Sequence, residues 1–389
     1  PGSIQPQGFM IVIEEPAMRI RQVSENLPDW LSVPVDTLLG SHFDTVIEHA
    51  SSFVAQLGEL DEDESQPYHV ADVQFLVGAQ RHPPVPMMLH RHDRMLIAEF
   101  QRPGATPTSS SRLYPLVRSF VSGASDLESI DELCERAVRV IKRLTGFGRV
   151  KSYRFDAEGN GLVNAELIDE GYPSYLGLCF PGSDIPAQAR ALYCSNRIRV
   201  IEDADYVPSP LVPADNALTG QPLDLSFSTL RSVSPVHLQY MRNMQTWASM
   251  SISIIVDGKL WGLFACHHYA ARRPTFERRS VSELFAQMFS MRLESRERKE
   301  TVEYERRARD ISDQLLGAVA SDETLLKDPD WLADILTHAI PADGVGVWLG
   351  GNHAFSGETP PLEDFRRIVR ALNGTAAGRV FATDHIGAL

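Results

Sequence analysis

The chain has 389 residues, 43% hydrophobic and 23% charged, the composition of a soluble globular protein with room for two or three domains and a sizeable core. Asp and Glu number 51 against 37 Lys and Arg, and the net charge of -14 argues against nucleic acid or an anionic membrane as the main partner. The four cysteines, Cys134, Cys179, Cys194 and Cys266, are scattered without a C-x-x-C pair, which excludes a zinc ribbon or dithiol motif and fits a reducing cytoplasm.

No apolar run approaches the roughly 18 residues of a membrane-spanning helix. The chain opens on Pro1-Gly2-Ser3 without an initiator Met or a signal peptide, so upstream residues are expected to be missing from it.

In chain order, Phe9 to Ile13, Ala71 to Val77 and Met95 to Phe100 read as strands of a mixed α and β region. Gln101 to Ser111 is rich in Pro, Gly and Ser and marks the clearest domain boundary. From Leu113 to Leu144 apolar residues recur at helical spacing, with Leu133, Ala137, Val140, Ile141 and Leu144 on one face and Gly146 as the stop. Val150 to Phe155 reads as a strand that puts Lys151, Tyr153 and Phe155 on one face. The segment Ile201 to Leu225 carries Pro208, Pro210, Pro213 and Pro222, a loop long enough to imply a function.

Ser251 to Val256 and Lys259 to Cys266 flank Asp257-Gly258, a hairpin with the residues a type I′ turn requires. After Pro274 the pattern is helical to about Val319, with a dense charge run from Arg292 to Arg309. A helix of that length predicts a dimer-forming or domain-spanning element. Beyond Asp330 a new mixed segment begins, with Trp331 to Ala339 helical and Gly344 to Leu349 a strand.

The sequence holds no G-x-S-x-G elbow, Walker phosphate loop or H-E-x-x-H pair. Cys266-His267-His268 is no metal set, because neighbours on a strand point to opposite faces. What remains is a group of polar residues in apolar text. Asp184 stands between Pro181 and Pro186, held by a loop that prolines stiffen, and it is equally suited to cap a helix starting near Ala187. Arg199 and Arg231 are two guanidinium forks suited to a dianionic ligand. His237 lies in Ser-Pro-Val-His-Leu-Gln-Tyr-Met and reads either as a core histidine or as a ligand contact. Ser249, Ser251 and Ser253 alternate along one strand face. These residues imply a site for a polar, aromatic small molecule.

Three segments, FPGSDIPAQAR from Phe180 to Arg190, LRSVSPVHLQYMRNM from Leu230 to Met244, and WGLFACHHY from Trp261 to Tyr269, resemble the bilin-binding GAF domain of bacterial phytochromes. PGSIQPQG from Pro1 to Gly8 resembles the opening of the PAS domain that precedes it. The resemblance covers nearly the whole chain. It implies an α+β protein with antiparallel sheets flanked by helices: a PAS domain over residues 1–102 with an incomplete start, a GAF domain over 112–297, and the opening of a PHY domain over 298–389, joined by a helix at about 276–319. The PHY hairpin that covers the pocket is expected beyond Leu389.

What the resemblance implies for the site is a linear tetrapyrrole. Asp184 stands near the pyrrole nitrogens, with Ile185 and Pro186 beside it. Arg199 and Arg231 hold one propionate, and Ser249 and Ser251 the other. His237 stacks over the inner rings, with Ser234 at the start of its segment, and His267 donates to the terminal D-ring carbonyl. Tyr153, Phe180, Tyr193 and Tyr240 wall the ring that turns, Tyr175 is a further contact of the pigment, and Ile4 belongs to the N-terminal segment at the pocket.

The resemblance further implies a red/far-red photoreceptor that signals by D-ring Z/E isomerisation. It implies a homodimer through the long helices, and a downstream output domain, with a histidine kinase and its response regulator as one form. Catalysis by this stretch is not expected. Three departures from the family's pattern stand out. Val236 occupies the position of the attachment Cys of plant and cyanobacterial members, which points to biliverdin as the pigment. The Cys of bacterial members lies upstream of the PGSIQ motif and so before Pro1. Gly182 replaces an alanine, and Lys151 replaces an apolar residue, directed either toward the D ring or outward. A GAF module sensing a cyclic nucleotide or metabolite is the alternative.

Overall fold

The structure, a computed structural model, describes residues 2–58, 65–77, 83–102, 110–122, 129–375, 378 and 380–383. Most of the polar boundary between Gln101 and Ser111 lies outside the described residues. The chain divides into two units, Pro1–Arg296 and Glu297–Leu389.

In the first unit, strands β1 (Ser3–Ile4), β2 (Gly8–Glu14), β3 (Arg19–Ser24), β4 (Tyr68–Val73), β5 (Val85–His92) and β6 (Met95–Gln101) come first. Helices α1 (Leu27–Leu31) and α2 (Ala50–Gly58) lie between β3 and β4. There follow α3 (Ser110–Ser122), α4 (Ile130–Thr145), β7 (Arg149–Phe155), β8 (Gly161–Ile168), β9 (Cys179–Phe180), α5 (Ala187–Ser195) and β10 (Ile198–Ile201). Then come β11 (Ser209–Val212), α6 (Pro235–Asn243), β12 (Ala248–Val256), β13 (Lys259–His268) and α7 (Phe276–Ser321), whose residues from Glu297 on belong to the second unit.

These strands form two sheets, β1-β11-β3-β2-β6-β5-β4 and β10-β12-β13-β7-β8-β9, antiparallel throughout. The α+β class read from the sequence holds. The region expected to be helical from Leu113 to Leu144 is two helices, α3 and α4. Helix α4 begins on a capping box in which Ser129 and Glu132 bond each other's backbone N–H, and ends on Gly146 at φ 68, a left-handed turn that suits glycine.

The Pro-rich segment Ile201 to Leu225 is not only a loop. Its strand β11 leaves the second sheet's sequence and adds to the first sheet between β1 and β3. Ile4, Met10, Val12, Ile97, Leu211, Leu223, Leu225 and Leu230 close a core beneath it. The loop therefore fastens the N-terminal strand to the second sheet's surroundings, a long-range pairing no local pattern announces.

One face of the second sheet packs Val150, Met250, Ile252, Phe264 and Cys266 against α3, α4 and the first part of α7. The opposite face carries the candidate site. In the second unit, α8 (Pro329–Ala339), β14 (Gly344–Leu349), β15 (Asn352–Gly357) and α9 (Leu362–Thr375) form a hairpin with two helices. Trp348, Phe355 and Phe365 pack their rings together there.

Candidate functional site

Strand periodicity builds the site. Because successive side chains alternate, the same strands that bury Val150, Met250, Ile252, Phe264 and Cys266 on one face present Arg149, Lys151 and Tyr153, then Ser249, Ser251 and Ser253, then Leu263, Ala265 and His267 on the other. Register aligns these into rows across the sheet. Arg199 on β10 pairs with Ser251, Ser251 with Ala265, Ala265 with Lys151, and Lys151 with Glu166. A parallel row runs Ile201, Ser249, His267, Arg149. Three strand spacings separate Arg199 from Lys151, roughly 14 Å. This face of the sheet is thus a long row with a small residue, Ala265, at its middle.

At one end stand two guanidinium groups. Arg199 donates to the backbone carbonyl of Arg231 and, at 3.5 Å, to that of Thr229. Burial first, and then the nearby Arg231, lower the Arg199 pKa to about 9. Arg231 Nε is buried without a hydrogen-bond partner. Two cations held side by side, with Glu99 acting on Arg199 and Asp224 on Arg231 only through their charge, favour an anionic ligand. Ile4 lies against this end, bridging Arg231 through the backbone.

At the other end is an aromatic box. Tyr153 and Tyr175 each stand 6.0 Å from Phe180, ring centre to ring centre, with Ile185 and Tyr193 packed beside them. Lys151 points inward and does not reach out to solvent. It is 5% exposed, with Nζ 5.0 Å from the Tyr175 ring, 5.1 Å from Phe180 and 5.8 Å from Tyr153. Desolvation, reinforced by Arg149, brings its pKa down to about 8. Glu166, directly opposite, is shared with the buried Arg149 at 3.2 Å, so one carboxylate faces two buried cations.

Between the ends lie the histidines and Asp184. His267 is held well below the usual imidazole range by burial and then by Lys151, Arg149 and His237, so it is neutral, and its Nδ1 is buried without a partner. His237 stacks on Tyr240 at 6.3 Å and 16°. It is half-buried, and burial, then Arg199, lowers its pKa. Tyr240 Oη donates to Asp184 Oδ2 at 3.2 Å, and burial, then Asp184, pushes its pKa up to about 12.

Asp184 is not a helix cap. It lies in a turn at Gly182–Asp184, and the residue at the start of α5 is Pro186, which has no side chain to cap with. The loop is tied instead by Arg190, which donates to the carbonyls of Gly159, Gly182 and Ile185 at 3.2, 3.3 and 2.9 Å. Gly182 is required by packing: a Cβ there would meet the Gly159 carbonyl oxygen at 2.9 Å.

Ser253 Oγ donates to the Tyr193 carbonyl at 2.6 Å and anchors α5 over the sheet. Ser234 accepts from Val236 N at 3.3 Å and so starts α6, with Pro235 next. The sequence reading passed over Arg149, Glu166 and Arg190. Strand parity with Lys151 was the available signal for the first of these. Among the described residues no cluster of His, Cys, Asp or Glu fits a metal ion, and no helix is long and apolar enough to cross a membrane.

Comparison with known proteins agrees with this architecture. The PAS fold family matches residues 1–102, the GAF domain family 129–296 and the phytochrome region family 308–389. The chain is 38% identical to the chromophore-binding domain of an unusual bacteriophytochrome from R. palustris, covering 77% of this chain and 97% of that one at a TM-score of 0.68. It is 35% identical to the photosensory core module of the Stigmatella aurantiaca phytochrome, covering 99% of this chain and 76% of that one at a TM-score of 0.80. Fold and site together define a module of the PAS–GAF–PHY class.

The chain belongs to the phytochrome family. Among its relatives, cyanobacterial phytochrome B of Nostoc sp. is 35% identical over 99% of this chain and 51% of its own length. The bacteriophytochrome of Xanthomonas campestris pv. campestris is 36% identical over 95% of this chain and 57% of its own. The chain thus spans about half the length of the curated relatives it matches.

Proposed function

We propose that this chain is the light-sensing part of a red/far-red photoreceptor and that its site holds biliverdin. The observation that carries the reading is the row from Arg199 through Ser251 and Ala265 to Lys151. Two guanidinium groups stand at one end, an aromatic box at the other, and unpartnered buried polar atoms on His267 and Arg231. A linear tetrapyrrole fits that donor set: two propionates, a chain of pyrrole nitrogens and a terminal ring bearing a carbonyl. When bound, such a pigment supplies visible absorption and a double bond beside its last ring that isomerises in light.

The chain's own residues divide the work. Arg199 and Arg231 neutralise one propionate, and the Ser249 and Ser251 hydroxyls meet the other. Asp184, its loop fixed by Arg190, supplies acceptor oxygens to the pyrrole nitrogens, and Ile185 and Pro186 line its approach. His237 covers the inner rings. Neutral His267 donates one hydrogen bond to the terminal carbonyl. Tyr153, Tyr175, Phe180, Tyr193 and Tyr240 bound the space in which the terminal ring turns, with Lys151 as a cation beside it. Val236, 78% exposed, offers no thiol, which favours biliverdin.

The same proposal takes residues 1–102 as PAS, 112–297 as GAF and 298–389 as the start of PHY, in a cytoplasmic protein. Helix α7 serves as the dimer-forming element that carries the signal toward an output domain, such as a histidine kinase with its response regulator. The test is a light-minus-dark difference spectrum of the chain with biliverdin under red light. Loss of a red band with a compensating change elsewhere, reversed in the dark or by far-red light, is expected. A bound pigment with no light-induced change at all would overturn the photoreceptor assignment.

A further inference from the structure

Strand β6 reads Met-Leu-Ile-Ala-Glu-Phe-Gln, and its Glu99 is fully buried. Its parity with Met95 and Ile97 turns it away from the first sheet's own core and toward the segment that β11 brings in. There it grips two consecutive residues. Thr229 N donates to Oε1 at 3.0 Å, and Thr229 Oγ1 and Leu230 N both donate to Oε2 at 2.7 Å. Burial pushes the Glu99 pKa up, and these three donors oppose it.

The neighbours share the grip. His90 Nδ1 is 3.7 Å from Glu99, with its Nε2 3.4 Å from Ser228 Oγ. Gln101 donates to Thr229 Oγ1 at 3.2 Å. Gln5 N donates to the Leu230 carbonyl at 2.7 Å, and its side chain to the Arg231 carbonyl at 3.3 Å. From the opposite side Arg199 donates to the Thr229 and Arg231 carbonyls.

A buried carboxylate costs free energy unless its bonds are all made. Here it is spent on fixing the one stretch of backbone that both clamp arginines share. We propose that Glu99 is a positioning residue for the carboxylate clamp. Through it the first sheet sets where Arg231 and Arg199 present their guanidinium groups, and so how strongly the site selects a pigment with free propionates. This rests on the bilin reading above.

The test compares, in the full chain, binding of biliverdin and of biliverdin dimethyl ester by absorption titration. The wild-type chain is expected to prefer the free diacid; absence of any preference would overturn the clamp assignment itself, whatever Glu99 does. Glu99→Gln keeps the shape but turns an amide N–H₂ toward donors, and should cut the preference at least about tenfold. Thr229→Val, which removes one donor from the other partner, should cut it less and in the same direction. Leu89→Ala hollows the first sheet's buried core without touching the segment, and should leave the preference unchanged within about twofold. Unchanged preference in both Glu99→Gln and Thr229→Val would overturn the proposal. An equal loss in Leu89→Ala would reduce the role of Glu99 to general stability and overturn it as well.

Discussion

Lys151 gives the sharpest energetic prediction. A lysine titrates near 10.5 in an unfolded chain, and in the fold burial and Arg149 bring it to about 8. That drop corresponds to about 3 kcal/mol against the folded state wherever the ammonium is charged in both states. The sign follows directly. Below pH 8 the proton is held in both states and the full penalty applies. Between 8 and 10.5 the native state has released a proton that the unfolded chain still holds, so stability rises with pH.

The three rings around Nζ return part of the penalty, on the order of 1 kcal/mol. Lys151→Met keeps the length of the side chain, removes the charge and leaves Glu166 paired with Arg149. The variant should therefore be more stable than wild type by about 2 kcal/mol at pH 7, the gain falling to roughly 1–1.5 kcal/mol at pH 9.5, where the native lysine is mostly neutral and the rings no longer offset the penalty. Urea unfolding without pigment, followed by the fluorescence of Trp247 and Trp261, measures both. A variant less stable than wild type at pH 7, or a gain that does not shrink with pH, would refute this account of the buried charge.

Arg231→Ala should weaken biliverdin binding by about ten- to a hundredfold, the worth of a lost charge-assisted bond, read by absorption titration. Gly182→Ala forces a Cβ onto the Gly159 carbonyl and should displace the Asp184 loop, costing about 1–3 kcal/mol of stability and broadening the pigment band. Tyr240→Phe removes the Asp184 bond, a loss of about 1 kcal/mol, and should alter the light-minus-dark spectrum more than the affinity.

Local signals in the sequence carried some elements fully. Asp257-Gly258 sits at φ 47 and 72 between β12 and β13, the positive angles that a type I′ turn demands. Alternation along β7 placed Lys151 with Tyr153, but parity alone could not tell interior from solvent; that depended on Tyr175 and Phe180 arriving from the later segment that ends in β9. Asp184 looked like a cap because Ala187 follows it closely, yet Pro186 intervenes at the helix start. Strand β11 was invisible for a stronger reason. Its four residues include Pro210, and its partner β3 lies in the first domain, with Val23 opposite Val212. Glu99, a lone acid in an apolar strand, was a signal that could have been read, but its partners are about 130 residues away.

The most direct measurement is the visible spectrum of the folded chain titrated with biliverdin in the dark. The account predicts an intense, sharpened band to the red of free biliverdin that saturates at one pigment per chain. It also predicts that Arg231→Ala moves the saturation point to higher pigment concentration. A folded chain whose spectrum stays that of free biliverdin at every ratio would contradict the account and return the site to some other small ligand.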